Sequence, residues 1–321
     1  MFSAREGNFR KDTGMNQEDM PALPLDLRRK KFDPLPYVLI SPAVLAMLAV
    51  VFYPMITAVG MSFYDYVVWK PASSKWIWFD NYLTALRSDI FWVSFKQTLV
   101  WIGCTVPFQL ALGLATALLL NREFAWRWLA RMMIIIPWAL PSVVIALMWR
   151  WIYDSNYGVL NDFLLRLKIL DHSVPWLAQP NTALYSIIFV LIWQGFPFFA
   201  VMLLAGLQSI PKVHYEAAEV DGAGTWAQFR HITLPGLKSV LVTSTLLRII
   251  WVANSVDVIF IMTGGGPGYS TYTLPLFAYN QSRKAMKYGF ASAIAVLFTT
   301  LLLALVFMYL RRTSEKGDSL R

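Results

Sequence analysis

Cysteine, histidine and charge are all scarce in this chain. Its 321 residues include one cysteine, Cys104, so a disulfide within the chain is excluded. Three histidines beside that cysteine leave too few soft ligands for a zinc site, and no metal ligand set is expected. Charged residues make up 15%, against about 25% in soluble domains. With aromatics also at 15%, a disordered chain is excluded. Carboxylates are the scarcer sign, with 19 Asp and Glu against 28 Lys and Arg, for a net charge of +9. What is abundant is apolar: 57% of the residues, against roughly 45–50% in soluble domains. The apolar residues come in runs too long to bury in one water-soluble core. The composition reads as an all-α, polytopic membrane protein.

A helix needs about 20 mostly apolar residues to cross the hydrocarbon core. Six segments qualify: 37–63, 91–120, 132–153, 182–207, 236–262 and 288–310. None has the alternating pattern of barrel strands. The first span lacks a cleavage pattern and follows a long polar stretch, so it is expected to be an uncleaved anchor. The expected organisation is a basic, disordered cytoplasmic tail at 1–35, six spans over 36–311, and a cytoplasmic tail at 312–321. The side holding both termini and the loops after the second and fourth spans carries 17 Lys and Arg, and the opposite side carries 9. That bias predicts both termini in the cytoplasm. The excess positive charge is thereby a topology signal rather than a nucleic-acid footprint.

The loops differ in chemistry. Residues 72–89 form an expected outer loop with the interfacial aromatics Trp76, Trp78 and Tyr82. Residues 158–170 place Leu160, Phe163, Leu164 and Leu167 at helical spacing, which predicts a short amphipathic surface helix. The loop at 209–235 is the most informative. Pro211 suits a helix start. Val213, Ala217 and Val220 then fall at i, i+4 and i+7, a narrow apolar stripe. Gly222 and Gly224 can end that helix. Thr225 and Gln228 have the spacing of a capping box opening a second helix, whose apolar side is Trp226, Phe229 and Ile232 and which Pro235 is expected to stop. Helix, glycine turn, helix makes a stiff surface suited to a partner's groove. A membrane-surface helix without a partner fits the same pattern.

The order Glu216-Ala217-Ala218, then Gly222, then Ile232, Leu234 and Pro235 resembles the EAA loop of ABC importer permeases, spacing for spacing. Trp176-Leu177, the run Ala205–Pro211 and Thr263-Gly264-Gly265-Gly266-Pro267 resemble the carbohydrate-type members, in particular the subunit similar to the maltose-transporter F component and the glycerol-phosphate A component. The resemblance covers about 36–311 and implies a bacterial inner-membrane permease for a sugar, oligosaccharide, polyol or glycerol phosphodiester. It implies ATPase coupling through Glu216, Ala217, Ala218, Asp221, Gly222, Ala223, Phe229, Ile232, Leu234 and Pro235. It implies three partners: a homodimeric ATP-binding subunit, a second related permease and an outer substrate-binding protein. No cofactor is expected on this chain, since ATP and Mg would sit on the partner ATPase, and no catalytic residue is expected here.

Polar residues inside a span are expensive to desolvate and mark candidate function. Gln194, Trp251, Asn254 and Asp257 are the side-chain types a sugar cavity uses, and they fall in the fourth and fifth spans. On a continuous helix Asn254 and Asp257 share a face, while Arg248 and Asp257 lie on opposite faces and cannot pair. Such residues also act as glue between helices. Gln194-Gly195-Phe196-Pro197 and Pro107 with Gln109 read as polar amides beside helix breaks. Gly264–Gly268 lacks the GK[ST] of a phosphate loop and is expected to turn the chain back toward the sixth span. An ion-coupled secondary transporter is the competing reading, with Asp257 as its one candidate carboxylate. An integral-membrane enzyme is disfavoured, because His172, His214 and His231 all lie in loops.

Overall fold

A computed structural model describes residues 34–318. The basic tail expected at 1–35 lies almost wholly outside the described residues, as does the end of the expected C-terminal tail. Contacts divide the chain into two units, Met1–Pro54 and Met55–Arg321. Among the described residues of the first, Leu35–Met47 is α-helical and passes into a π-helical turn at Leu48–Phe52. These belong to the first candidate span, α1, Leu35–Met61.

The second unit is helical, and among its described residues no strand forms. Two isolated bridges, Tyr64 to Trp76 and Val67 to Lys287, pin its loops together. In chain order its helices are α2 (Asp80–Arg87), α3 (Asp89–Asn121), α4 (Arg127–Ala139), α5 (Ser142–Ile152), α6 (Val159–Arg166) and α7 (Pro180–Gln208). There follow α8 (Lys212–Val220), α9 (Thr225–Gln228), α10 (Lys238–Ala253), α11 (Asp257–Met262), α12 (Leu274–Arg283) and α13 (Tyr288–Asp318). Among the described residues, five helical segments are long and apolar enough to cross a membrane: α1, α3, α7, Lys238–Met262 and Tyr288–Arg311.

The third expected span is a bent pair rather than one straight helix. Helices α4 and α5 meet at 93°. The cause is local. Proline crowds the residue before it out of the helical region, and Leu140, which precedes Pro141, is extended at φ −75° and ψ 139°. Pro137, by contrast, lies within α4 without ending it. The breaks expected near Pro107 and near Gly195-Pro197 do not form, since α3 and α7 run through both. The amphipathic helix expected at 158–170 is α6. Its Leu160 and Leu164 turn inward, Phe163 and Leu167 stay exposed, and Arg166 pairs with Asp162 at 2.9 Å.

The core lies between α3 and α7, closed by α10 to α13. Trp101 of α3 is fully buried, and its indole Nε1 donates to the Val252 carbonyl at 2.9 Å, tying α3 to α10. Thr98 of α3 accepts from the Leu274 amide at 2.9 Å, fixing the start of α12. In hydrocarbon no water satisfies a polar group, so such bonds set which helices adjoin.

Candidate functional site

The first region of interest is the loop after α7. Pro211 is the N-cap of α8 and enters it at φ −61°, ψ 132°. No residue of α8 is buried. Its apolar stripe faces away from the chain's own core: Val213 is 61% and Val220 88% exposed. Glu216 and Asp221 are exposed too, and neither has an ion-pair partner among the described residues. The other side is held by a hydrogen bond between the Tyr215 and Thr233 hydroxyls at 3.0 Å.

The end of α8 is a Schellman turn. The Ala223 amide donates to the Ala218 carbonyl at 2.8 Å and the Gly222 amide to the Glu219 carbonyl at 3.0 Å. Gly222 stands at φ +76°, and a Cβ there would meet nothing within 4 Å. Backbone conformation alone therefore demands glycine at this position.

The capping box expected from Thr225 and Gln228 does not form. Gly224 is the N-cap, and the Gln228 side-chain Nε2 donates to the Ala223 carbonyl at 3.3 Å. Nor does Pro235 stop the helix. The chain continues through a π-helical turn at Phe229–Thr233 and a short turn at Leu234–Gly236 before α10. Pro235 sits in the first turn of that last piece, where its missing N–H is tolerated. Trp226 and Phe229 stack at 5.5 Å, with Trp226 exposed. Ala217, Ala218, Asp221 and Ile232 share a groove of about 540 Å³ with His214 and His231. Glu216, Leu234 and Pro235 stand exposed beside it.

The second region is the membrane segment of α7, α10 and α11. Gln194 is half-buried, and Trp251, Asn254 and Asp257 are exposed. Trp251 packs on Phe198 at 5.2 Å, and Phe198 meets Trp138 at 6.0 Å. The shared helical face expected for Asn254 and Asp257 does not exist, because α10 ends at Ala253 and α11 begins at Asp257. Asn254 donates to its own helix at the Ile250 carbonyl, 2.8 Å away, and Asp257 accepts from the Ser142 hydroxyl at 3.3 Å. The four residues do not join in one hydrogen-bonded cluster.

What sequence reasoning did not find is the partner of Arg248. Arg248 is only 8% exposed. Its Nε donates to Oε1 of the fully buried Gln109 at 2.6 Å, and Gln109 Nε2 donates to the Leu191 carbonyl at 2.6 Å. Its guanidinium carbon lies 5.9 Å from the centre of the Phe198 ring. Gly195 supplies the space: a Cβ there would sit 1.7 Å from Arg248 Nη2 and 2.2 Å from Gln109 Nε2. This polar knot joins α3, α7 and α10 beside the Phe198–Trp251 pair. The available signal was an arginine, a glutamine and a glycine placed mid-span in three separate helices.

The family model for the binding-protein-dependent transport system inner membrane component matches residues 109–317. Among curated proteins, the chain is 37% identical over 274 residues to the sulfoquinovosyl glycerol transport system permease protein SmoG of Agrobacterium fabrum, covering 85% of this chain and 88% of that one. It is 35% identical over 275 residues to the trehalose/maltose transport system permease protein MalF of Thermococcus litoralis, covering 86% and 92%. Among solved structures, a bacterial alginate ABC transporter in complex with an alginate pentasaccharide-bound periplasmic protein superposes with a TM-score of 0.74 at 25% identity, over 86% of this chain and 92% of that one.

Proposed function

The chain belongs to the binding-protein-dependent transport system inner membrane component family, and from that premise we propose that it is one permease subunit of an ATP-driven carbohydrate importer. The carbohydrate class is supported by the relatives, whose names give sulfoquinovosyl glycerol and trehalose/maltose as cargo. The periplasmic protein bound to the alginate transporter supports a substrate-binding protein as partner. In this reading the chain is a multi-pass protein of a bacterial inner membrane with both termini in the cytoplasm.

The observation that carries the mechanism is the outward-turned face of α8. A nine-residue helix that buries nothing of its own, offers Val213 and Val220 to solvent and leaves Glu216 unpaired is built to be covered. Burying each valine is worth about 1.5–3 kcal/mol. The occupant is the ATP-binding subunit, present twice, with a second related permease closing the pathway. ATP and Mg bind on that subunit and close its dimer. The α8 helix moves with the dimer, and the stiff Schellman turn passes the motion through the π-helical segment into α10. Alternate access then follows from partner contacts that differ between the two states. The cavity walls are α7, α10 and α11, where Trp251 with Phe198 offers ring faces and Asn254 and Asp257 offer polar ends.

Affinity purification of the tagged chain from its native membrane in a gentle detergent, with mass spectrometry of the native complex, tests this. The expected result is two copies of an ATPase subunit and one other permease. A chain that emerges alone or as a homo-oligomer, even after crosslinking in intact membranes, overturns the proposal in favour of an ion-coupled transporter.

A further inference from the structure

A cavity of about 410 Å³ lies between the glycine-rich loop after α11 and helix α12, apart from both regions described above. Glycine backbone forms part of its wall. Gly264, Gly265 and Gly268 hold φ of 63°, 101° and 53°. A Cβ on Gly265 would come 2.2 Å from the Tyr272 ring, so that ring rests on bare backbone. Tyr269 itself adopts φ 64°, a left-handed value that a bulky residue holds only under constraint. Its side chain is 47% exposed and stands edge-on to Tyr272 at 5.1 Å.

The wall also carries hydrogen-bonding groups. Asn280, 6% exposed, donates from Nδ2 to the Tyr272 hydroxyl at 3.0 Å, while its Oδ1 has no partner. Gln281 and Lys284 complete the lining. Burial raises the Tyr272 phenol above its ordinary pKa, so it stays a neutral donor and acceptor. Charge is one-sided here. From Val258 to Ser314 the sequence holds no Asp or Glu, while Arg283, Lys284 and Lys287 are all exposed. The segment 64–70, bridged to Lys287 through Val67, adds Lys70 and a single carboxylate, Asp65. This cluster sits on the face where the orientation proposed above disfavours basic residues, which calls for a reason other than topology.

We propose that this cavity is a receiving subsite for an acidic saccharide, a sugar bearing a carboxylate or sulfonate, on the outer face of the protein. The inference rests on the carbohydrate-import reading and narrows its cargo. Tyr269 offers a ring face to the apolar side of a pyranose. Asn280 holds the Tyr272 hydroxyl in place, the half-buried Gln281 amide meets hydroxyls, and Lys284 meets the acid.

The test is saturation-transfer NMR on the full chain in nanodiscs, purified with the subunits that accompany it, using methyl glucuronide and methyl glucoside as probes. The glucuronide is expected to give the stronger transfer. The exposed Lys284→Gln is expected to weaken glucuronide binding about 3-fold, the scale of one solvent-exposed charge contact, and to equalise the two probes. Tyr269→Ala is expected to abolish transfer, and Tyr269→Phe to keep it. Equal transfer from both probes in the native chain, or no change on Lys284→Gln, overturns the subsite. ATP hydrolysis stimulated by the binding protein is read on the same preparation. Its absence, with the glucuronide response intact, overturns the import reading and leaves the subsite standing.

Discussion

Arg248 brings a cation into the middle of a membrane segment, and no carboxylate among the described residues meets it. What holds it is one amide oxygen, the face of the Phe198 ring and the room left by Gly195. A methyl group at 195 must displace either the guanidinium or the Gln109 amide, since both lie inside contact distance of the Cβ. Gly195→Ala is therefore expected to destabilise the chain by about 1–3 kcal/mol, the usual cost of overpacking, read as a lowered midpoint in reversible unfolding from bicelles. Within the same test, Arg248→Met leaves Gln109 Oε1 buried and unpaired, while Arg248→Met with Gln109→Leu removes both halves. The double variant is expected to lose less than the two single losses added, with a coupling of about 0.5–3 kcal/mol. Additive losses would mean the 2.6 Å bond is energetically idle. The sequence showed each of these residues to be polar in a span, but not that 109 and 248 meet. Their pairing is a matter of which helices adjoin, and helical periodicity carries no information about that.

At the scale of the element, the loop motif separates into two jobs. Ala218, Gly222 and Ala223 end α8, through the two Schellman bonds and a left-handed glycine. Val213, Glu216 and Val220 look outward and have no role in the helix's own closure. The two sets should respond differently. Gly222→Ala forces a Cβ into the left-handed region, at about 1–2 kcal/mol, while Gly222→Asn is expected to recover part of that. Glu216→Lys leaves every local bond in place, so insertion and the elution profile are expected to be unchanged while ATP hydrolysis coupled to transport is lost. Normal uptake in the Glu216→Lys and Gly222→Ala variants together would rule out α8 as the transmitting element. The helix–turn–helix was legible because proline and glycine fix backbone angles locally. Thr225 misled because Gly224, one residue earlier, takes the extended cap at φ −68°, ψ 167°. Pro235 misled because the π-helical turn just before it places the proline in a new first turn, where no amide is required.

At the scale of the molecule, composition and run length identified the class and located five spans to within a few residues, because the bilayer sets helix length directly. The sixth was legible as apolar length but not as a 93° bend. Two prolines flank Trp138, and only the one whose preceding residue is extended breaks the helix. Orientation is a separate matter, for it rests on the 17-to-9 distribution of Lys and Arg and on no contact within the fold. It is decided by labelling. Cys104 is the only native cysteine, so a Cys104→Ser background accepts single reporter thiols. Glu216→Cys and Lys284→Cys place them on exposed positions at the two proposed faces. In intact spheroplasts a membrane-impermeant maleimide is expected to modify the reporter at 284 and to reach the one at 216 only after permeabilisation. The reverse pattern would invert the topology, setting α8 where no ATP is found and the basic cavity where no binding protein can dock. Both the coupling reading and the acidic-sugar subsite would then fall together, since each depends on its face of the membrane and not on its local geometry alone.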